Sequence, residues 1–298
     1  MKVFFILSII ITVMLLLLFL AFIVGNYFLS FLVAPKIKSQ KLLKRIAAKE
    51  GGLKYISSFE DFEIKMRDGY LIHGQILKNT TDKFVICSHG LGASSYTSYK
   101  YANIFYENGY SVICYDSRGH GENEKHLITL GHYEASDLSE MITYVKEKYQ
   151  VRILGLHGES MGAIISLLTL KYHDDLNFVI ADSAFSDLFS HIKYQLKNQY
   201  QLPSFVRYLG AFACLIKYHF SLKEISPIKY LDNRVKKLFI HSKSDEFILV
   251  DQAISLNEKA KNSQLYLFDK SKHADNLNHY PSQYQELITK FLNEVEVS

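Results

Sequence analysis

The run "LGLHGESMGAII" (154–165) sets a serine between paired glycines, Gly158-Glu159-Ser160-Met161-Gly162. Acyl transfer through a covalent serine ester is the chemistry this spacing can support. A serine hydroxyl is a weak nucleophile unless a base takes its proton and a third group holds the base. The residues before Ser160 read as a buried strand and those after it as a helix. A strand-to-helix turn this sharp strains the serine backbone, and glycines two before and two after remove the resulting clashes. It also places the hydroxyl at a helix N-terminus, where aligned peptide dipoles favour developing negative charge. A serine serving only as a helix cap would need one suitable position, not this whole frame.

The partners should follow in the order serine, acid, histidine. Asp245 lies just past "KLFIHSKSD" and His273 just past "LYLFDKSKH", so both sit at ends of strand-like runs, as Ser160 does. Glu246 is a neighbouring acid that points away from Asp245 in an extended chain. Asp251 reads as the cap of the next helix, and His279 as the start of the last one. His89, His120 and His157 occupy strand ends before or beside the serine and read as structural hydrogen-bonding groups. An oxyanion site needs backbone N–H donors, and "SHGLGASS" (88–95) ends an early strand with two glycines. The amides of Leu91 and Met161 are the candidate donors, with a plain glycine-rich turn as the competing reading. No Cys/His cluster has metal-ligand spacing, and this route of acyl transfer calls for neither metal nor cofactor.

The elements that must position these residues alternate along the chain. "FEIKMRDGYLIHGQIL" reads as a hairpin turning at Asp68-Gly69. Strand-like runs follow at 83–90, 110–122, 151–160, 176–187, 236–246 and 263–273. Helical segments lie between them: Ser94 to Asn108, His132 to Tyr149, Met161 to His173, Asp251 to Lys261 and His279 to Val297. Such alternation predicts an α/β fold with a mostly parallel sheet and helices on both faces. Ligands of such sheets bind at the carboxyl ends of the strands, where the polar, glycine-rich loops fall. The stretch from about 186 to 235 breaks the alternation and reads as a short helical cap.

Together "HGLGASS", "YDSRGHGEN", "GLHGESMGA", "IADSAFSDL", "HSKSDEFI" and "SKHADN" resemble the α/β-hydrolase superfamily. In detail the chain is similar to its bacterial, membrane-anchored branch, related to prolyl-oligopeptidase-like and acyl-thioesterase-like hydrolases. The resemblance covers residues 55–298 and implies Ser160, Asp245 and His273 as a catalytic triad. It also implies that 116–121 is a structural loop beside the site. Glu159 stands where such sequences often carry histidine, and the cap is short for a peptidase gate. The fold hosts many activities. A carboxylic ester, lipid-derived given the anchor and apolar cap, is the favoured substrate. A peptidase or amidase and an acyl thioesterase of the same fold are the enzymatic alternatives. A non-catalytic binding protein is the alternative of another class, and it would have no use for all three residues in order.

The N-terminus departs from a plain globular enzyme. Val3 to Val24, "VFFILSIIITVMLLLLFLAFIV", carries no charge. As a helix those residues span about 33 Å, enough for a hydrocarbon core of about 30 Å. A cleaved signal peptide competes, but the run exceeds the usual apolar core of such signals and no A-x-A-like site follows. The chain thus reads as a transmembrane anchor (3–24), a basic linker (25–54) and a hydrolase domain (55–298), single-pass at the cell membrane. Lys36, Lys38, Lys41, Lys44, Arg45 and Lys49 follow the span, and the positive-inside rule then favours a cytoplasmic domain. A very short N-terminal tail works in the opposite sense. With 48% hydrophobic and 21% charged residues and a net charge of +4, the 298-residue chain is globular, and its scattered cations give no nucleic-acid surface. Cys87, Cys114 and Cys214 cannot all pair, and the first two lie in strand-like runs, so buried thiols are favoured over a disulfide framework.

Overall fold

The computed structural model describes residues 2–33 and 35–297. The described residues divide into two compact units, one of 2–33 and 35 with 188–225, the other of 36–187 with 226–297.

In the larger unit, strands β1 (Phe59–Lys65) and β2 (Leu71–Leu77) form an antiparallel hairpin closed at Lys65 and Leu71. Gly69 takes φ 89° in its turn, a region glycine enters without a Cβ penalty. The remaining strands are β3 (Lys83–Ser88), β4 (Ser111–Tyr115), β5 (Ile153–Glu159), β6 (Phe178–Asp182), β7 (Lys236–Ser242) and β8 (Ser263–Phe268). Sheet order is β1-β2-β4-β3-β5-β6-β7-β8. β2 meets β4 antiparallel, and every pairing from β4 to β8 is parallel.

Parallel strands need both faces covered, which is why these strands are apolar without alternation. One face presents Val85, Cys87, Val112, Cys114, Phe178 and Ile180 to helices α3 (Ser95–Glu107) and α10 (Pro281–Glu296). The alternate residues Phe84, Ile86, Ile113, Leu154 and Leu156 are also buried. Helices α4 (His132–Lys148) and α5 (Met161–Thr169), packed on each other with α5 also on β5, supply their cover. All three cysteines are buried and free.

Three elements differ from the sequence reading in their ends. Helix α5 stops at Thr169, and residues 170–173 continue as turns. The last helical segment is broken: α9 (Asn276–His279) ends before Tyr280, and α10 restarts at Pro281, which has no N–H to continue a helix but suits its first turn. Helix α8 (Val250–Lys259) has Leu249 at its N-cap, so Asp251 lies in its first turn rather than capping it.

Helix α2 (Gln40–Lys49) is capped by Ser39 and packs on α3 with Leu43 and Ala47 buried. The basic segment from Lys36 on is therefore part of the larger unit. In the smaller unit, α1 runs Lys2–Val33, past the apolar run, and its Val3–Ser30 stretch is long and apolar enough to cross a membrane. The break in strand-helix alternation contains α6 (Leu188–Asn198) and α7 (Val206–Tyr218), and α7 packs on both α6 and α1.

Candidate active site

Ser160 sits between β5 and α5 with φ 53° and ψ −114°. Non-glycine residues avoid this region at a cost of about 1–3 kcal/mol, so the surroundings must impose it. They do so from both sides. Its N–H donates to the Asp182 carbonyl at 2.8 Å, tying the turn to the end of β6. A Cβ on Gly158 would fall 2.2 Å from the Gly162 carbonyl carbon, and one on Gly162 would fall 2.0 Å from the Ser88 carbonyl oxygen. Both glycines are thus steric requirements of the turn.

The structure brings Ser160, His273 and Asp245 into one relay. Ser160 Oγ lies 2.8 Å from His273 Nε2, and His273 Nδ1 lies 2.7 Å from Asp245 Oδ2. With Nδ1–H donating to the carboxylate, Nε2 presents its lone pair to the serine hydroxyl. Asp245 is buried, and its other oxygen accepts from the amides of Phe247 and Ile248, each at 2.9 Å. Burial alone would raise the Asp245 pKa. The His273 hydrogen bond and charge, with the Ile248 amide, outweigh it and hold the carboxyl below its ordinary value. Glu246 and Asp251 are exposed.

The loop after β3 carries Leu91, and α5 opens with Met161. Neither amide donates to a protein acceptor among the described residues. The loop itself is pinned. Gly92 N–H donates to His120 Nε2 at 3.1 Å, its carbonyl accepts from Lys38 N–H at 3.2 Å, and Ser95 N–H donates to Asp116 Oδ1 at 2.7 Å.

His89 accepts from the Ser117 amide at 2.9 Å through Nε2, and its Nδ1–H donates to the Gly90 carbonyl at 2.8 Å. Burial lowers its pKa, and burial together with His89 lowers that of His120 to about 3. His157 falls to about 3 by burial and the Lys100 charge, and pairs with the Tyr284 hydroxyl at 3.2 Å. All three are neutral scaffolding groups near neutral pH. The 116–121 loop is likewise built for support: Arg118 grips Asp137 through two nitrogens at 2.9 and 2.6 Å and reaches Asp68 at 2.8 Å.

Two groups of residues had no role assigned from the sequence. Glu159, beside the serine, accepts from the Tyr101 hydroxyl and lies 3.4 Å from Lys100 Nζ, which also meets Glu50 at 3.1 Å. Burial opposes the charge on Lys100, but the two carboxylates outweigh it and raise its pKa. The second group ties down the loop carrying His273. Asn276 donates to Asp182 Oδ1 at 2.6 Å and accepts from the Ser271 hydroxyl, while Ala274 N–H donates to Ser183 Oγ at 3.3 Å. Burial, then the nearby Glu159 charge, push the Asp182 carboxyl up to about 7. The run "ADSAF" at the end of β6 was the available signal, a polar pair closing an otherwise apolar strand.

A family model described as alpha/beta hydrolase fold matches residues 83–214. Among solved structures, the chain is similar to the Pyrococcus furiosus esterase Pf2001, with TM-score 0.67 and 22% identity over 81% of this chain and 93% of that one. It is also similar to Est1E of Butyrivibrio proteoclasticus, a structure with bound ferulic acid, with TM-score 0.60 and 16% identity over 80% of this chain and all of the other. At these identities the likeness is one of fold. The Bacillus subtilis protein YqkD is 31% identical over 279 residues, covering 90% of this chain and 91% of its own length. Shared sequence along nearly the whole of both chains, with the family model spanning the serine turn, makes this chain a member of the α/β-hydrolase fold family.

Proposed function

We propose that the chain is a serine hydrolase of carboxylic esters, held at the cell membrane by α1 with its hydrolase unit on the cytoplasmic side. The observation that carries this reading is the preformed relay from Ser160 Oγ through His273 to Asp245, at 2.8 and 2.7 Å. A binding protein gains nothing from a strained serine kept in line with a base. Similarity in fold to the Pyrococcus furiosus esterase Pf2001 favours an ester over an amide.

In the proposed reaction Ser160 Oγ attacks the carbonyl carbon as His273 Nε2 takes its proton. Asp245 holds the ring in the required tautomer and stabilises the imidazolium. The Leu91 and Met161 amides receive the oxyanion. His273 returns the proton to the leaving alcohol, then deprotonates the water that releases the acid from Ser160. The anchor makes a lipid-derived acyl ester the favoured physiological class, and the basic segment 36–49 favours the cytoplasmic side.

The test is fluorophosphonate labelling of wild type and Ser160→Ala, followed by turnover of ester, thioester and amide panels. Wild type should label and prefer esters, while the alanine variant should neither label nor keep more than the residual catalysis of binding and oxyanion contacts. A variant hydrolysing p-nitrophenyl esters at near wild-type rate would place the nucleophile elsewhere. Amide or thioester preference would move the assignment within the fold.

A further inference from the structure

We infer that α7 is a membrane-interfacial helix whose exposed apolar stripe rests in the headgroup and upper acyl region of the bilayer beside α1. This rests on the proposed reading of α1 as an anchor.

The stripe is regular. Phe205, Tyr208, Phe212, Leu215 and Ile216 recur at steps of three and four, so they share one helix face, and they are 40% to 59% exposed. The side facing the protein carries Val206, Gly210, Ala213 and Cys214, all buried. A large apolar face left in water is costly, and such faces mark surfaces that meet another apolar phase.

The packing of α7 on α1 points to the bilayer. A Cβ on Gly25 would fall 2.1 Å from the Leu209 carbonyl oxygen, and one on Gly210 would fall 2.9 Å from the Phe28 ring. Small residues at both positions let the two helices approach to backbone contact, as paired membrane helices do. Lys217 Nζ also donates to Asn26 Oδ1 at 2.9 Å. The contact therefore falls at Gly25–Phe28, beyond the uncharged run Val3–Val24 and at the far end of the Val3–Ser30 stretch. Helix α1 is about 48 Å long at 1.5 Å per residue, against about 30 Å of hydrocarbon. Its surplus must emerge at the membrane surface, and α7 is packed on that emerging part. Side chains from Val3 to Leu20 are all exposed, as a span facing lipid would leave them.

Charge fits the same occupant. Residues 188–225 hold Lys193, Lys197, Arg207, Lys217 and Lys223 against the single acid Glu224. Arg207 lies over the Phe189 and Tyr208 rings at 4.5 and 5.0 Å, and Lys223 over the same rings at 5.3 and 5.8 Å. Aromatic rings flanked by long cationic side chains suit the interface, where the rings meet acyl chains and the cations meet anionic headgroups. An amphipathic helix with this division of faces lies in the membrane plane.

The test uses the full-length chain in vesicles of zwitterionic and anionic phospholipid. A nitrobenzoxadiazole fluorophore is placed on Phe212→Cys, with Leu215→Cys as a second reporter on the same face. Leu15→Cys marks mid-span of α1, and Glu286→Cys marks an exposed face of the hydrolase unit. The native thiols are buried, and fluorophosphonate labelling verifies each fold. Both α7 labels should shift to the blue, lose most of their emission to a nitroxide carried near the lipid headgroup and resist aqueous iodide; the Glu286→Cys label should behave oppositely. An α7 label as open to iodide as that of Glu286→Cys, while the Leu15→Cys label is quenched from the lipid, overturns this inference and leaves the anchor standing. An α7 label shielded from both quenchers indicates a second copy or another protein on the stripe and also overturns it. A Leu15→Cys label open to iodide removes the anchor reading, and this inference with it.

Discussion

Asp245 is held by His273 and by two backbone amides at once, so the carboxylate is fixed before any substrate arrives. Asp245→Asn should therefore lower kcat by up to about 10⁴ with a much smaller change in KM, because the amide stabilises the wrong histidine tautomer. Asp251→Asn loses only a first-turn dipole interaction, about 0.3–1 kcal/mol of stability, and should turn over esters normally. Steady-state kinetics of both on one ester decides the assignment, and a crippled Asp251→Asn beside a normal Asp245→Asn would reverse it. Asp182 makes a prediction about pH. Its folded pKa of about 7 lies above the ordinary 3.8, so between those values the folded chain holds a proton that the unfolded chain has released. Stability from this group is thus lost as pH rises from about 4 to about 7. Asp182→Asn mimics the protonated form and keeps an acceptor for Asn276. Its melting temperature relative to wild type should climb across that pH range, and a constant offset would exclude Asp182 as the titrating group.

At the scale of elements, α2 is more than a tether. Its Leu43 and Ala47 are buried, Glu50 meets Lys100, and Lys38 N–H holds the Gly92 carbonyl in the loop that carries Leu91. Removing residues 1–35 should leave ester hydrolysis near wild type, assayed in mild detergent to cover the side of α7 that α1 leaves open. Removing 1–50 strips Leu43 from its site, worth about 2 kcal/mol by area alone, and leaves Lys100 with one neighbouring carboxylate fewer. The longer truncation should melt lower and show reduced kcat through the loosened loop. Equal stability and activity of the two truncations, by calorimetry and ester turnover, would show that α2 contributes nothing to the hydrolase unit.

For the whole molecule, the decisive property is how it is held. A spanning α1 keeps the chain in the membrane fraction through high salt and alkaline carbonate, because screening weakens charge contacts but does not extract an apolar helix. Release by salt alone, followed by immunoblot of both fractions, would assign retention to the basic segment instead. Protease added to intact spheroplasts should spare the hydrolase unit if it faces the cytoplasm, and cleavage there would place it outside.

The serine turn, the order of acid and histidine, and the run of parallel strands were legible in the sequence because each is a local signal. Gly158 and Gly162 flank Ser160 within five residues, and apolar strands such as "KFVIC" end in polar loops whatever surrounds them. The resemblance of those motifs to one superfamily agreed with the parallel sheet observed. Other features had no local signal. Glu50, Lys100 and Glu159 are far apart along the chain and meet only because α2 and α3 bring their side chains to the serine turn. Asp182, at the end of β6, and Asn276, at the start of α9, are joined across 94 residues. The Gly25 and Gly210 contact is a helix crossing, and neither glycine stands out until both backbones are in place. Local spacing determined which residues could do chemistry. Only packing decided which side chains hold them still, because desolvation and hydrogen bonding act on distance in space, not on separation along the chain.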